Sequence, residues 1–240
     1  MNSIDAIIPA RADSKGVKDK NIRELHGYSL LEWSIKAAKK TKSIDRVFVS
    51  TDSEKYARIS IECGAEVPFL RPKEISEDNS SDFSFISHSI NEFKKINLYP
   101  EYLVHLRPTT PIREPNTLDE AISIFKASKK FDSLRSVHLM SESSYKTLEI
   151  NNGILTPLSL FNDELFNPNA PRQSYPHTYQ PNGYIDILRT NYILKNLEIY
   201  GKKILPFITK TAYELDNLDD FDHLEYLASR SINLIKKLFK

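Results

Sequence analysis

Short apolar runs alternate with stretches of helical spacing along most of this chain, and that alternation restricts its fold more than any other feature. Such a rhythm is the signature of a mostly parallel sheet with helices packed on it. Ile4–Pro9 reads as the first strand, Arg46–Ser50 as the second and Glu66–Leu70 as a short third. Tyr102–Leu106, Ser133–His138, Tyr184–Leu188 and Lys203–Phe207 continue the series. Helical spacing covers Leu30–Lys40, Asp82–Ile96 (through Phe83, Ile86, Ile90 and Phe93), and a stripe of Leu118, Ala121, Ile122 and Phe125 running to about Lys130. Thr51 and Glu54, three apart, have the form of a capping box opening another helix, which Gly64 closes. An amphipathic helix over about Asp219–Phe239 completes the pattern.

The rhythm breaks between about residues 140 and 182, which are dense in Ser, Asn, Pro and Tyr. That stretch is too long to be a structureless loop inside a compact domain. It is expected to form an arm or hairpin that packs on something else. With 240 residues, 40% of them hydrophobic, there is material for one sizeable core. The expectation is therefore a single α/β domain over residues 1–240, a Rossmann-like mostly parallel sheet with an inserted arm.

The formal charge is +1, from 33 basic and 32 acidic residues, and no long basic face is visible. This argues against a nucleic-acid partner, so electrostatic work must be local. No window approaches the ~18 uninterrupted apolar residues of a membrane span, and no charged start leads into a long apolar stretch, so a cytoplasmic protein without membrane association is expected. Cys63 is the one cysteine, which excludes an intrachain disulfide and a cysteine-based zinc site.

The segment Pro9–Asn21 directly follows the first strand, at the carboxyl end of the sheet, where open α/β folds bind ligands. From Arg11 to Arg23 it holds five cations (11, 15, 18, 20, 23) against two acids (13, 19), a net of three positive charges (5 − 2). It contains neither a Walker loop nor a dinucleotide fingerprint. On charge alone it is either a triphosphate cradle or a solvated basic loop.

The run Ile7-Ile8-Pro9-Ala10-Arg11-x-x-Ser14-Lys15-Gly16-x-x-x-Lys20-Asn21 resembles the N-terminal signature of the CMP-sialic acid synthetases (acylneuraminate cytidylyltransferases). The likeness continues in order through further blocks over essentially the whole chain. It implies a nucleotidyltransferase-type sheet and a grip on nucleotide phosphates by Arg11, Ser14, Lys15, Lys20 and Asn21. Ala12-Asp13 stands where members commonly carry small residues. Arg71-Pro72, followed by Asp78-Asn79-Ser80, is similar to the family's cytosine-reading block: Arg71 can donate to cytosine O2 and N3, and a carbonyl near Ser80 can accept from the exocyclic amine. The same residues also serve as a strand exit and a helix cap.

Leu106-Arg107-Pro108-Thr109-Thr110-Pro111-Ile112-Arg113 resembles the block that lines the sugar and ribose end of the cleft, with Arg107 at a position often occupied by Gln. Arg107 can pair with a carboxylate or phosphate, while Thr109 and Thr110 also read as a turn fixed by prolines. Ser144-Tyr145-Lys146, Arg172-Gln173 and Tyr179-Gln180-Pro181-Asn182-Gly183 resemble a block that related enzymes contribute across a dimer interface. The resemblance thus implies a homodimer, with Lys146 and Arg172 beside the carboxylate of an acidic keto-sugar and Tyr179 and Asn182 near it. Tyr145 and Tyr179 serve equally well as interface packing. Tyr184 and Asp186 depart from the family's usual N-G-A-I-Y.

Glu214 and Asp216, two apart, point to one face of a strand end and can hold Mg²⁺. They match the family's D-x-D except that Glu replaces the first Asp. Asp219 and Asp220 read instead as caps of the last helix. The implied reaction is attack of a sugar's anomeric hydroxyl on the α-phosphorus of CTP, with Arg11, Lys20 and Asp216 central to it and the acceptor a nonulosonic acid. Activation of a Kdo-type octulosonate and a non-catalytic nucleotide-sugar binding protein are the alternatives.

Overall fold

In the computed structural model every side chain from Ile4 to Ile8 is buried, because helices cover both faces of the sheet to which β1 (Ser3–Pro9) belongs. The structure describes residues 3–12, 16–158 and 170–240. After β1 come β2 (Glu24–Leu25), β3 (Tyr28–Ser29), α1 (Leu30–Lys40), β4 (Arg46–Ser50), α2 (Glu54–Glu62), α3 (Asp82–Lys95), β5 (Pro100–His105), α4 (Pro115–Ala127) and β6 (Ser133–Leu139). The remainder is β7 (Leu148–Asn151), β8 (Ile154–Pro157), β9 (Tyr179–Arg189), α5 (Thr190–Asn196), β10 (Ile204–Ile208), α6 (Leu218–Arg230) and α7 (Ile232–Phe239).

Six strands form one sheet in the order β10-β6-β9-β5-β1-β4. β1 pairs in parallel with β4 and β5, and β10 with β6, while β9 pairs antiparallel with both β5 and β6. β9 therefore runs against the other five, and the expected mostly parallel α/β sheet is what forms. Strand alternation sends successive residues to opposite faces. Ala6 and Ile8, Val47 and Val49, and Ile185 and Ile187 join α1, α4, α6 and α7 in one core, which contains Trp33. Ile7, Phe48, Leu103 and Leu188 meet α3 and α5 in the other. α7 docks by stacking Phe239 on Tyr28 at 3.7 Å.

Several sequence expectations change. The strand expected over 66–70 reduces to one bridge between Glu66 and Phe48, since Pro68 offers no N–H to a ladder. Ser53, not Thr51, caps α2, by accepting from the Tyr56 N–H. The last helix breaks at Ser231, giving α6 and α7. Gly64 closes α2 as expected, at φ +95°. Within the irregular stretch, β7 and β8 form a hairpin, whereas Tyr179–Asn182 belong to β9 and pair with β6. Among the described residues no helix is long and apolar enough to cross a membrane.

Candidate active site

The parallel strands β4, β1 and β5 end on one side of the sheet, and the loops that follow them enclose a cleft of about 240 Å³. Arg11, Lys20, Asn21, Arg71, Ser80, Arg107 and Thr109 all line it, so residues up to about a hundred positions apart in sequence converge there. Ser14 and Lys15 lie outside the described residues, as does the Arg172 side chain.

The loop after β1 is fixed from several sides. Asn21, buried, donates through Nδ2 to the Arg11 carbonyl (2.9 Å), and the Ala12 N–H donates to Asp52 (2.8 Å). Asp19 takes a left-handed conformation (φ 53°) and accepts from the Tyr56 hydroxyl, opening the single turn Lys20–Ile22. That turn aims Lys20 Nζ at the Leu215 carbonyl (2.7 Å), 3.7 Å from Asp216 Oδ1. Arg11 pairs with Asp78 and reaches the Ser76 carbonyl. Both cations are thus held at the rim by partners they can exchange for phosphate oxygens.

Arg71 is buried and fastened to the end of β4. Nε donates to Ser50 Oγ (3.0 Å) and Nη2 to the Ser50 carbonyl (2.7 Å), with the guanidinium 4.7 Å above the Phe85 ring. Burial lowers its pKa to about 10, so it stays charged at neutral pH. Nη1 has no protein partner among the described residues, and Arg71 lines the cleft together with Ser80 and Ser81.

Arg107 is placed otherwise than its sequence neighbourhood suggested. Its guanidinium meets protein carboxylates: Asp186 Oδ2 at 2.8 Å and Asp82 Oδ2 at 2.6 Å. Burial works against its charge, but Asp186 and Asp82 more than offset this and raise its pKa. Asp186 is 1% exposed and also accepts from Tyr200 (3.0 Å). Behind it His105 is wholly enclosed, with neither ring nitrogen hydrogen-bonded, and burial pushes its pKa down to about 4. At neutral pH it is an uncharged filler.

Leu215 is buried, with its N–H on the Thr109 carbonyl (2.8 Å). Its neighbours turn toward the rim. Glu214 accepts from the Thr109 hydroxyl (2.7 Å), and Asp216 stands 75% exposed beside Lys20. Gly183, at φ +63°, packs against this junction, where a Cβ would lie 3.0 Å from Thr110 Oγ1. Glu214 and Asp216 thus flank the cleft from a loop rather than from a strand end. Among the described residues no group of three acidic, His or Cys side chains could hold a metal. Two carboxylates beside a cleft lined by Arg11 and Lys20 do suit Mg²⁺, which takes one or two carboxylates and completes its shell with other oxygen ligands. Asp220 caps α6 as expected, in a capping box with Asn217, while Asp219 lies in the first turn, where it favours the helix dipole without a capping bond of its own.

Lys146, Tyr179 and Asn182 do not line this cleft. Lys146 Nζ donates to the Ala170 carbonyl (3.2 Å), and Tyr179 is half exposed opposite Leu139. Asn182 is buried beneath Thr110 with its amide on Thr209 (2.7 Å). Two residues have site roles that the sequence did not disclose. Arg113, completely buried, donates to the carbonyls of Arg107, Gly183 and Tyr184 and to Ser34 Oγ, tying the loop after β5 and strand β9 to α1. Asp186 anchors Arg107. Only the departure from the family pattern at 186 marked it in the sequence, and Arg113 was marked only as the last residue of the Leu106–Arg113 block, with no role of its own.

The family profile described as Cytidylyltransferase matches residues 6–235. The N-acylneuraminate cytidylyltransferase of Escherichia coli O18:K1:H7 is 31% identical over 91% of this chain and 50% of its own length, so the chain spans half of that relative. The CMP-N,N′-diacetyllegionaminic acid synthase of Legionella pneumophila is 29% identical over 89% of this chain and 90% of its own. Among solved structures, a CMP:2-keto-3-deoxy-manno-octonic acid synthetase complexed with CTP shares the fold, with a TM-score of 0.72 at 12% identity over 95% of this chain and 99% of that one. The 4-diphosphocytidyl-2C-methyl-D-erythritol synthase of Anaerococcus prevotii also matches, with a TM-score of 0.62 at 11% identity over 95% of this chain and 96% of that one. With that profile covering nearly the whole chain, the protein belongs to the cytidylyltransferase family.

Proposed function

We propose that this chain transfers CMP from CTP to the anomeric hydroxyl of a nonulosonic acid, releasing pyrophosphate. The observation that carries this reading is the convergence in one cleft of a rim of exchangeable cations, Arg11 and Lys20, with Arg71, whose free guanidinium edge suits cytosine O2 and N3. The names of the Escherichia and Legionella relatives supply the sugar class. In the reaction the anomeric oxygen bonds to the α-phosphorus and loses its proton. The bond from that phosphorus to the α,β-bridging oxygen breaks, and pyrophosphate leaves. Lys20 and Arg11 exchange their present partners for phosphate oxygens and neutralise the leaving group, while Arg71 and the Ser80 wall fix the base. Catalysis is then positioning plus electrostatic stabilisation, without a covalent enzyme intermediate. Mg²⁺, held by Glu214 and Asp216, would supply further neutralisation of phosphate charge.

Pyrophosphate release with CTP, UTP, GTP and ATP against a panel of keto-sugar acids, with and without Mg²⁺, tests this. Release is expected with CTP and a nine-carbon acid only when Mg²⁺ is present, and Asp216→Ala is expected to lower it by at least about a hundredfold, the scale of losing one electrostatic stabiliser. Silence with CTP and every acid sinks the reading, and an unimpaired Asp216→Ala enzyme sinks the metal assignment.

We also infer a homodimer formed through the β7–β8 hairpin, which leaves Ile150, Ile154 and Leu155 more than 60% exposed. Clustered exposed apolar side chains on a projecting hairpin favour a partner surface. Lys146 and Arg172, on the same stretch, would then serve the sugar carboxylate. Sedimentation at the mass of two chains is expected, with Ile154→Asp shifting the protein to one. A monomer before any substitution rules the dimer out.

A further inference from the structure

Arg113 is completely buried and does not line the cleft, so it can act on a substrate only through other residues. Its guanidinium spreads over two segments and a helix. Nε donates to the Tyr184 carbonyl (2.6 Å), Nη2 to the carbonyls of Arg107 (2.7 Å) and Gly183 (2.9 Å), and Nη1 to Ser34 Oγ of α1 (3.1 Å). The Arg107 carbonyl also accepts from the Thr110 N–H (3.1 Å), and Thr110 Oγ1 donates to the Asn182 carbonyl (3.4 Å), so the turn 107–110 is clasped against β9. The fit there is close, since a Cβ on Gly183 would lie 3.0 Å from Thr110 Oγ1 and 3.8 Å from Glu214 Oε1. Burial pushes the pKa of Arg113 down to about 9, which leaves it charged at neutral pH. An apolar side chain would fill the same space without desolvating a charge. A lysine would gather its donors on one atom, which cannot span carbonyls of two segments. The planar fork therefore fixes the distance between the turn and β9.

That turn supports one wall of the cleft. The Thr109 carbonyl accepts from the N–H of buried Leu215 (2.8 Å), and the Thr109 hydroxyl donates to Glu214 (2.7 Å). The Leu215 carbonyl in turn receives Lys20 Nζ (2.7 Å). An unbroken run of contacts thus leads from Arg113 through Thr109 to Glu214 and Lys20. Arg71 is held separately, by Ser50 and over the Phe85 ring, and shares no hydrogen-bond partner with Arg113. Resting on the CTP reading above, we propose that Arg113 is a positioning residue that sets Lys20 and Glu214 for the phosphates of the nucleotide, acting through Thr109, and takes no part in holding the base.

The test is steady-state pyrophosphate release by the full chain, with CTP varied and N-acetylneuraminic or N,N′-diacetyllegionaminic acid as acceptor. Arg113→Lys and Gly183→Ala are compared with the unsubstituted chain, each alone and combined with Lys20→Ala. Calorimetric binding of CMP reads the base side, and thermal melting confirms that each variant is folded at the assay temperature. Arg113→Lys should lower kcat by about ten- to a hundredfold, the scale of a small misplacement of reacting groups, while KM for CTP and the affinity for CMP stay within about twofold, as expected when only transition-state interactions are lost. In the Lys20→Ala background the same substitution should cost clearly less, because the group it misplaces is gone. Gly183→Ala, which intrudes on the same junction, should give the same pattern, and it serves if Arg113→Lys does not fold. An undiminished kcat overturns the proposal. So does a loss of CMP affinity that matches the loss in kcat, which would make Arg113 a support of the fold as a whole. A factor that is the same with and without Lys20 also overturns it, by placing the effect elsewhere. If the unsubstituted chain releases pyrophosphate with neither acid, the CTP reading falls and the proposal with it.

Discussion

Lys20→Ala is expected to lower kcat/KM for CTP-dependent pyrophosphate release by about 10²–10³-fold, the range for removing one preorganised donor from developing charge. Lys20 is well suited to such an effect. Its side chain is 15% exposed, it projects from a single turn braced by the left-handed Asp19, and its ammonium already rests on the Leu215 carbonyl. Little reorganisation is needed for it to meet a phosphate. Most of the loss should fall on kcat, because the charge being neutralised grows as pyrophosphate departs. The melting temperature should move little, since the ammonium makes one hydrogen bond and one loose ion pair with the exposed Asp216. Steady-state kinetics with CTP varied at saturating sugar decide the matter. A variant with undiminished kcat would remove Lys20 from the reaction.

The second large effect concerns stability. Arg107→Ala strips the buried Asp186 carboxylate of its nearest cation, leaving it the Tyr200 hydroxyl and the looser Arg135 at 3.8 Å. Breaking one side of a buried pair costs about 3–5 kcal/mol, since the remaining charge stays desolvated. At roughly 2–4 °C per kcal/mol for a chain of this size, the melting temperature should fall by on the order of 10 °C. Adding Asp186→Asn to Arg107→Ala should restore much of the loss, because the orphaned charge is then gone. Thermal denaturation of the two single variants and the double variant closes the cycle. If Arg107→Ala melts with the unsubstituted protein, the pair contributes nothing of the kind.

The layered sheet was legible because it is local. β1, β4, β5 and α1 announce themselves through the spacing of Ile, Val, Phe and Leu, and the hydrophobic pattern suffices to place them to within a few residues. The cleft was legible for the residues that sit on loops at strand ends, where Arg11, Lys20, Arg71 and Thr109 carry their position with them. What the sequence hid depends on contacts between distant segments. Arg113 looks like one more charged loop residue until Ser34, Gly183 and Tyr184 close around it. Arg107 looked free to meet a substrate anion because its partners, Asp82 and Asp186, lie 25 and 79 positions away. Glu66–Leu70 looked like a strand because its apolar run was given more weight than Pro68, which has no hydrogen to donate to a ladder.

β9 carries a consequence for how the chain folds. It lies between β5, made of residues 100–105, and β6, made of residues 133–139, yet it is itself residues 179–189. As the chain leaves the ribosome, β4, β1 and β5 can pair once residues up to 105 have emerged. The β5 edge then waits unpaired until more than seventy further residues have emerged. Sheet closure is thus a late step, and like the β1–β5 pairing it is non-local, the kind of contact that slows folding. Until it happens, two open strand edges face the surroundings, which is the condition under which partly made α/β chains pair with one another and aggregate.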